Sequence, residues 1–138
     1  MNKIYYSWKD IREVIESLSL KIKSGEEDIL YVTGVPRGGL IPAVMISHNL
    51  ELKYISYENA INLPESSRSK VLLVDDICDS GETFKGILSY NFITCTLFTR
   101  YTSVCTPDYS GKDIKTDAWL VFPWEKAGSK TERDGTLS

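Results

Sequence analysis

The chain has 138 residues, 42% of them apolar and 25% charged, enough to build one compact core and too short for a second catalytic domain. Its 16 Lys and Arg against 19 Asp and Glu leave a net charge of −3 with no basic block to gather a phosphate backbone, which argues against a nucleic-acid partner. No window reaches the roughly 18 apolar residues of a membrane span, and the opening MNKIYYSWKD lacks the apolar segment of a signal peptide, so the expectation is a cytoplasmic protein without a membrane partner.

In chain order, Ser7 is placed to cap a helix in which Trp8, Ile11, Val14, Ile15, Leu18 and Ile22 recur near the 3.6 period, with Gly25 as its stop. Residues 28–35, DILYVTGV, read as a strand that ends in glycines, and LIPAVMISHNL returns to a helical pattern. The only histidine, His48, lies in that apolar run and reads as a packed or surface helical residue, which excludes any scheme needing two histidines. Residues 52–57 read as a second strand and 58–69, polar and holding Pro64, as a mobile loop. VLLVDD, 71–76, has the continuous apolar run of a strand covered on both faces. A helix is expected over 81–88, strands over 92–100 and 118–122, and a frayed polar tail over 126–138. Cys78, Cys95 and Cys105, an odd number with no CxxC pair, read as reduced thiols. This alternation predicts one α/β domain over 1–125: a twisted, mostly parallel open sheet flanked by helices, with its ligand crevice beyond the carboxyl ends of the strands.

The richest segment is VLLVDDICDSGETF, 71–84. A buried strand delivers Asp75 and Asp76, Asp79 follows, and Ser80, Gly81, Glu82 and Thr83 open a helix. Backbone amides at a glycine-containing loop suit a phosphate dianion, and the Ser80 and Thr83 hydroxyls add donors. Adjacent carboxylates repel that phosphate, but they accept from a pair of hydroxyls or hold Mg²⁺ through water. A ligand with a diol at one end and a phosphate at the other, a ribose 5-phosphate, satisfies both halves. An acidic pair before any helix would alone fit a helix cap or an Mg²⁺ site equally well. A second loop, Pro36, Arg37, Gly38 and Gly39, follows the 28–35 strand; its glycines permit close backbone approach and Arg37 offers a two-pronged donor to a further phosphate.

The DDxxDSGxT string resembles the phosphoribosyl-pyrophosphate (PRPP) signature of the type I phosphoribosyltransferases, and the PRGG loop resembles the pyrophosphate loop of their 6-oxopurine branch, the bacterial xanthine-guanine enzymes in particular. The likeness continues through YYSWKDIREV, TLFTRYTS and DAWLVFPWE and covers most of residues 5–125. It implies that Asp75 and Asp76 hold the ribose hydroxyls and, partly through water, Mg²⁺; that Asp79 is the base near the purine; and that Asp79, Ser80, Gly81, Glu82 and Thr83 bind the 5-phosphate. It further implies a catalytic role for Arg37 among the pyrophosphate-binding residues 36–39, with a non-prolyl cis peptide between Pro36 and Arg37. Trp119 would stack on the purine, the Leu120 carbonyl would read its 2-position, and Ser56-Tyr57 would open the closing lid.

Arg100 stands where the family carries a lysine that donates to purine O6, Val121 replaces an acidic residue, and the lid is short. These departures leave base preference open. The implied activity is transfer of the phosphoribosyl group of PRPP to guanine, xanthine or hypoxanthine in purine salvage, by a homodimer or homotetramer. Two other readings remain: a PRPP- or nucleotide-sensing regulator with weak or no catalysis, and a phosphoribosyltransferase for a non-purine base.

Overall fold

The computed structural model describes residues 2–126; the tail expected to fray lies, but for its first residue, outside them. Ser7 caps helix α1 (Trp8–Ser24) in a reciprocal capping box: its hydroxyl accepts from the Asp10 amide at 3.1 Å while its own amide donates to the Asp10 carboxylate at 2.8 Å. Ile11, Ile15, Leu18 and Ile22 form the buried stripe of this helix.

Five strands, β2 (Tyr31–Gly34), β3 (Lys53–Tyr54), β4 (Val71–Cys78), β5 (Ile93–Arg100) and β6 (Tyr109–Ile114), make an all-parallel sheet in the order β3-β2-β4-β5-β6. A separate parallel pair joins β1 (Lys3–Tyr5) to β7 (Trp119–Val121). The remaining helices are α2 (Leu40–Leu50), α3 (Tyr57–Ile61), α4 (Glu65–Arg68) and α5 (Glu82–Ile87), the last continued by a 3₁₀ turn at Leu88–Tyr90. The unbroken apolar run of β4 is explained by burial on both sides. Leu72 and Val74 pack in one cluster with the α1 stripe and with Ala43 and Ile46 of α2, whereas Val71 and Leu73 pack in another with Ala60, Phe84 and Ile87. From β2 the chain passes to β3 on one side and then crosses to β4, β5 and β6 on the other. The order therefore reverses between β2 and β4, the place where open α/β sheets form their ligand crevice.

Several boundaries differ from the expectation. The strand expected over 28–35 is confined to Tyr31–Gly34, although the Val35 amide still donates to the Val74 carbonyl at 2.9 Å. The strand expected over 52–57 stops at Tyr54, because the Ser56 hydroxyl accepts from the Asn59 amide at 3.1 Å and caps α3. Residues 58–69, expected as a loop, carry α3 and α4, and Arg68 pins them by donating to the Leu63 and Tyr90 carbonyls at 2.7 and 3.0 Å. β4 runs beyond Asp76 to Cys78. Strands β1 and β6 carry no apolar signal: YSGKDI is mostly half-exposed or exposed at the sheet edge, and Gly111 is needed there because a Cβ would meet the Leu97 carbonyl and Val14 at 2.6 Å.

Candidate active site

The ladder between β4 and β5 pairs Leu72 to Asp75 with Ile93 to Thr96, skips Asp76, and resumes at Ile77 and Cys78. At the gap the backbone turns to side chains: the Asp76 amide donates to Asp75 Oδ1 at 2.9 Å and the Ile77 amide to Asp76 Oδ1 at 2.7 Å. The burial phase shifts at the same point, Ile77 joining the cluster of Leu72 and Val74, and Cys78 that of Val71 and Leu73. The acidic pair thus sits at a phase change of a central strand, 9% and 7% exposed.

The PRGG loop leaves β2 and closes on this pair. The Pro36–Arg37 peptide is cis, as the resemblance implied. A Cβ on Gly38 would fall on the Asp76 carboxylate, and one on Gly39 would fall on the Val74 carbonyl, so only glycine permits this approach of loop to strand. Gly39 then caps α2, its amide donating to the Val35 carbonyl and the Leu40 amide to that of Arg37. Arg37 is exposed on the turn.

Beyond β4, Gly81 takes φ +91° at the start of α5, a conformation that disfavours side chains. The Ser80 hydroxyl accepts from the Glu82 amide at 3.3 Å, and Glu82 and Thr83 form the exposed first turn of α5. Asp79 is one-third exposed and ion-paired with the buried Arg100, Nε to Oδ1 at 2.8 Å. Burial pushes the Cys78 thiol up, which suits a packing role for this residue.

Of the three residues expected to face a purine, Trp119 and Leu120 lie on β7 and Arg100 ends β5. Leu120 is buried and Trp119 half-buried, with the Trp119 amide donating to the Asn2 carbonyl at 2.9 Å. Trp124 joins an aromatic cluster, its ring 5.0 Å from Phe122 and 6.0 Å from Trp8. Ser56 and Tyr57 open α3, where burial pushes the Tyr57 phenol up.

The motif reading assigns no role to one group, the turn after β5. Its Val104 amide donates to the Ser80 carbonyl at 2.8 Å, and the Ser103 hydroxyl lies 3.1 Å from Cys78 Sγ. No local pattern marks these residues. The adjacency of β4 and β5 in a parallel sheet is the signal, because it brings the loops at their carboxyl ends together.

Asp75 and Asp76 are hard oxygen donors of the kind Mg²⁺ takes, and among the described residues no group of three or more His, Cys, Asp or Glu forms a complete protein cage. Such a donor set fits an ion bound through one or two carboxylates together with substrate phosphates and water.

The parallel sheet, its strand order reversing between β2 and β4, and the loop after β2 closing on Asp76 there give the type I phosphoribosyltransferase fold. No protein-family model matches the chain. It is 25% identical over 145 aligned positions to the xanthine-guanine phosphoribosyltransferase of Cereibacter sphaeroides, an alignment covering 89% of this chain and 87% of the relative. Among solved structures, a purine phosphoribosyltransferase from Pyrococcus horikoshii superposes with a TM-score of 0.73 at 29% identity, covering 91% of this chain and 95% of the other. The xanthine-guanine-hypoxanthine phosphoribosyltransferase of Helicobacter pylori shares the fold with a TM-score of 0.74 at 21% identity, covering 90% and 94%.

Proposed function

We propose that the chain is a purine phosphoribosyltransferase, a glycosyltransferase that moves the phosphoribosyl group of PRPP to a 6-oxopurine and releases pyrophosphate. The observation that carries this reading is the convergence at the switch point: the loop after β2 closes on Asp76 through Gly38, beside the loop that follows β4. The full-length likeness to purine phosphoribosyltransferases supports the same substrate class.

In this reading Asp75 and Asp76 accept from the ribose hydroxyls and hold Mg²⁺ partly through water. When bound, the ion would neutralise charge on the pyrophosphate. Ser80, Gly81, Glu82 and Thr83 take the 5-phosphate, each charge-assisted bond contributing about 1.5–3 kcal/mol. Glu82 serves through its amide, with its carboxylate turned from the phosphate. Pro36, Arg37, Gly38 and Gly39 hold the pyrophosphate. As the bond from ribose C1 to the pyrophosphate oxygen breaks, the electron pair leaves with the pyrophosphate and positive charge grows on the ring; Arg37 stabilises the departing anion. A purine nitrogen closes the new bond to C1, and Asp79 takes its proton. Trp119 stacks on the purine, the Leu120 carbonyl reads its edge, and the segment opening at Ser56 and Tyr57 shields the reaction from water.

Melting curves test the ligand class. A ligand at 100 times its Kd stabilises a fold by about 2.7 kcal/mol, so GMP or IMP at saturating concentration raises the melting temperature by several degrees, whereas UMP and CMP do so less. Equal shifts for purine and pyrimidine nucleotides, or none, would contradict the reading.

A further inference from the structure

The end of β5 and the turn after it touch both halves of the site. Arg100 donates from Nε to Asp79 at 2.8 Å and from Nη1 to the Thr116 and Ala118 carbonyls at 2.7 and 2.9 Å. The Tyr101 hydroxyl donates to Asp117 at 3.2 Å, and the Val104 amide holds the Ser80 carbonyl at 2.8 Å. The turn therefore grips the loop after β4 on one side and, on the other, the 116–118 segment that leads into Trp119.

We propose that Arg100 is a positioning residue, a strut whose guanidinium sets the spacing between the phosphoribosyl side of the site, at Asp79, and the purine side, at β7. The proposal rests on the phosphoribosyl-transfer reading above. A planar guanidinium presents Nε and Nη1 in fixed directions, so one buried group holds a carboxylate and two carbonyls together. A lysine has a single nitrogen on a flexible stem and cannot span the three acceptors in this geometry. Losing the strut shifts the purine relative to C1, and a displacement near 1 Å costs about 10²-fold in rate. The PRPP side keeps supports of its own, the Gly38 contact with Asp76 and the Lys85 amide on the Gly81 carbonyl at 2.9 Å.

Arg100→Lys is the sharpest variant because it keeps the charge. The strut predicts unchanged PRPP affinity by calorimetry but a loss of about 30–100-fold in kcat/KM for the purine. In Arg100→Ala, added methylguanidinium restores part of the rate and methylammonium does not. A Lys variant with the parent kcat/KM, or an equal loss of PRPP affinity, overturns the proposal. A second readout needs no turnover. With Trp8→Phe and Trp124→Phe, Trp119 is the only tryptophan, and Arg100→Lys then increases its quenching by acrylamide; unchanged quenching also overturns the strut. Failure of the unsubstituted chain to form any nucleotide would instead sink the transferase reading, while the quenching result still decides the strut.

Discussion

Gly38 and Asp76 show what single residues contribute. The carboxylate occupies the space where any other residue at 38 would place its Cβ, so Gly38→Ala forces either the loop or the carboxylate to move. We expect a stability loss of about 1–3 kcal/mol together with weaker PRPP binding; calorimetry showing parent affinity would remove the contact from the site. Asp79 makes a different prediction. In the proposed role of proton acceptor it contributes about 10²–10⁴-fold, so Asp79→Asn lowers kcat by that order and leaves PRPP affinity in place, and unchanged turnover would refute the role. Both residues were legible in the sequence, since the acid pair, the third acid and the glycines lie within short motifs whose chemistry is local. The Arg100 bonds to Thr116 and Ala118 were not, because they join segments 16 and 18 residues apart through one side chain, and nothing in the local pattern of either segment marks such a contact.

At the scale of elements, apolar patterning predicts what is buried and misses what is held by other means. Helix α1 and strand β4 announced themselves through a periodic stripe and a continuous run. The helices α3 and α4 did not, since their hold on the fold is the Ser56 cap and the Arg68 bonds to two carbonyls, which hydropathy does not register. β6 is an edge strand built on backbone pairing, and part of its anchorage is polar. The Tyr109 hydroxyl donates to Glu27 at 2.7 Å, and the phenol is pushed up to about 12, first by burial and then by that bond. A tyrosine in the unfolded chain ionises near about 10. Between the two values the unfolded chain sheds a proton that the folded chain keeps, so this contribution is complete below pH 10 and is lost as pH rises toward 12. Urea midpoints of the parent should accordingly fall more steeply over this window than those of Tyr109→Phe, and parallel curves would contradict the assignment.

For the molecule as a whole, the strand order carries the functional argument. The reversal between β2 and β4 brings together two loops that lie far apart in the chain, which the proposed function gives to pyrophosphate and to the sugar phosphate, and the turn after β5 braces the second loop against the segment leading into β7. The α/β class and the crevice at the carboxyl ends followed from the alternation of strands and helices; the β1–β7 pair did not, because two short strands at opposite ends of the described chain leave no periodic trace. The most direct measurement mixes the pure protein with PRPP, Mg²⁺ and, separately, guanine, xanthine, hypoxanthine and adenine, and follows nucleotide and pyrophosphate by chromatography. The account predicts a nucleoside 5-monophosphate from at least one 6-oxopurine, with one pyrophosphate released per nucleotide, and none from adenine. PRPP binding without nucleotide from any of the oxopurines would contradict it.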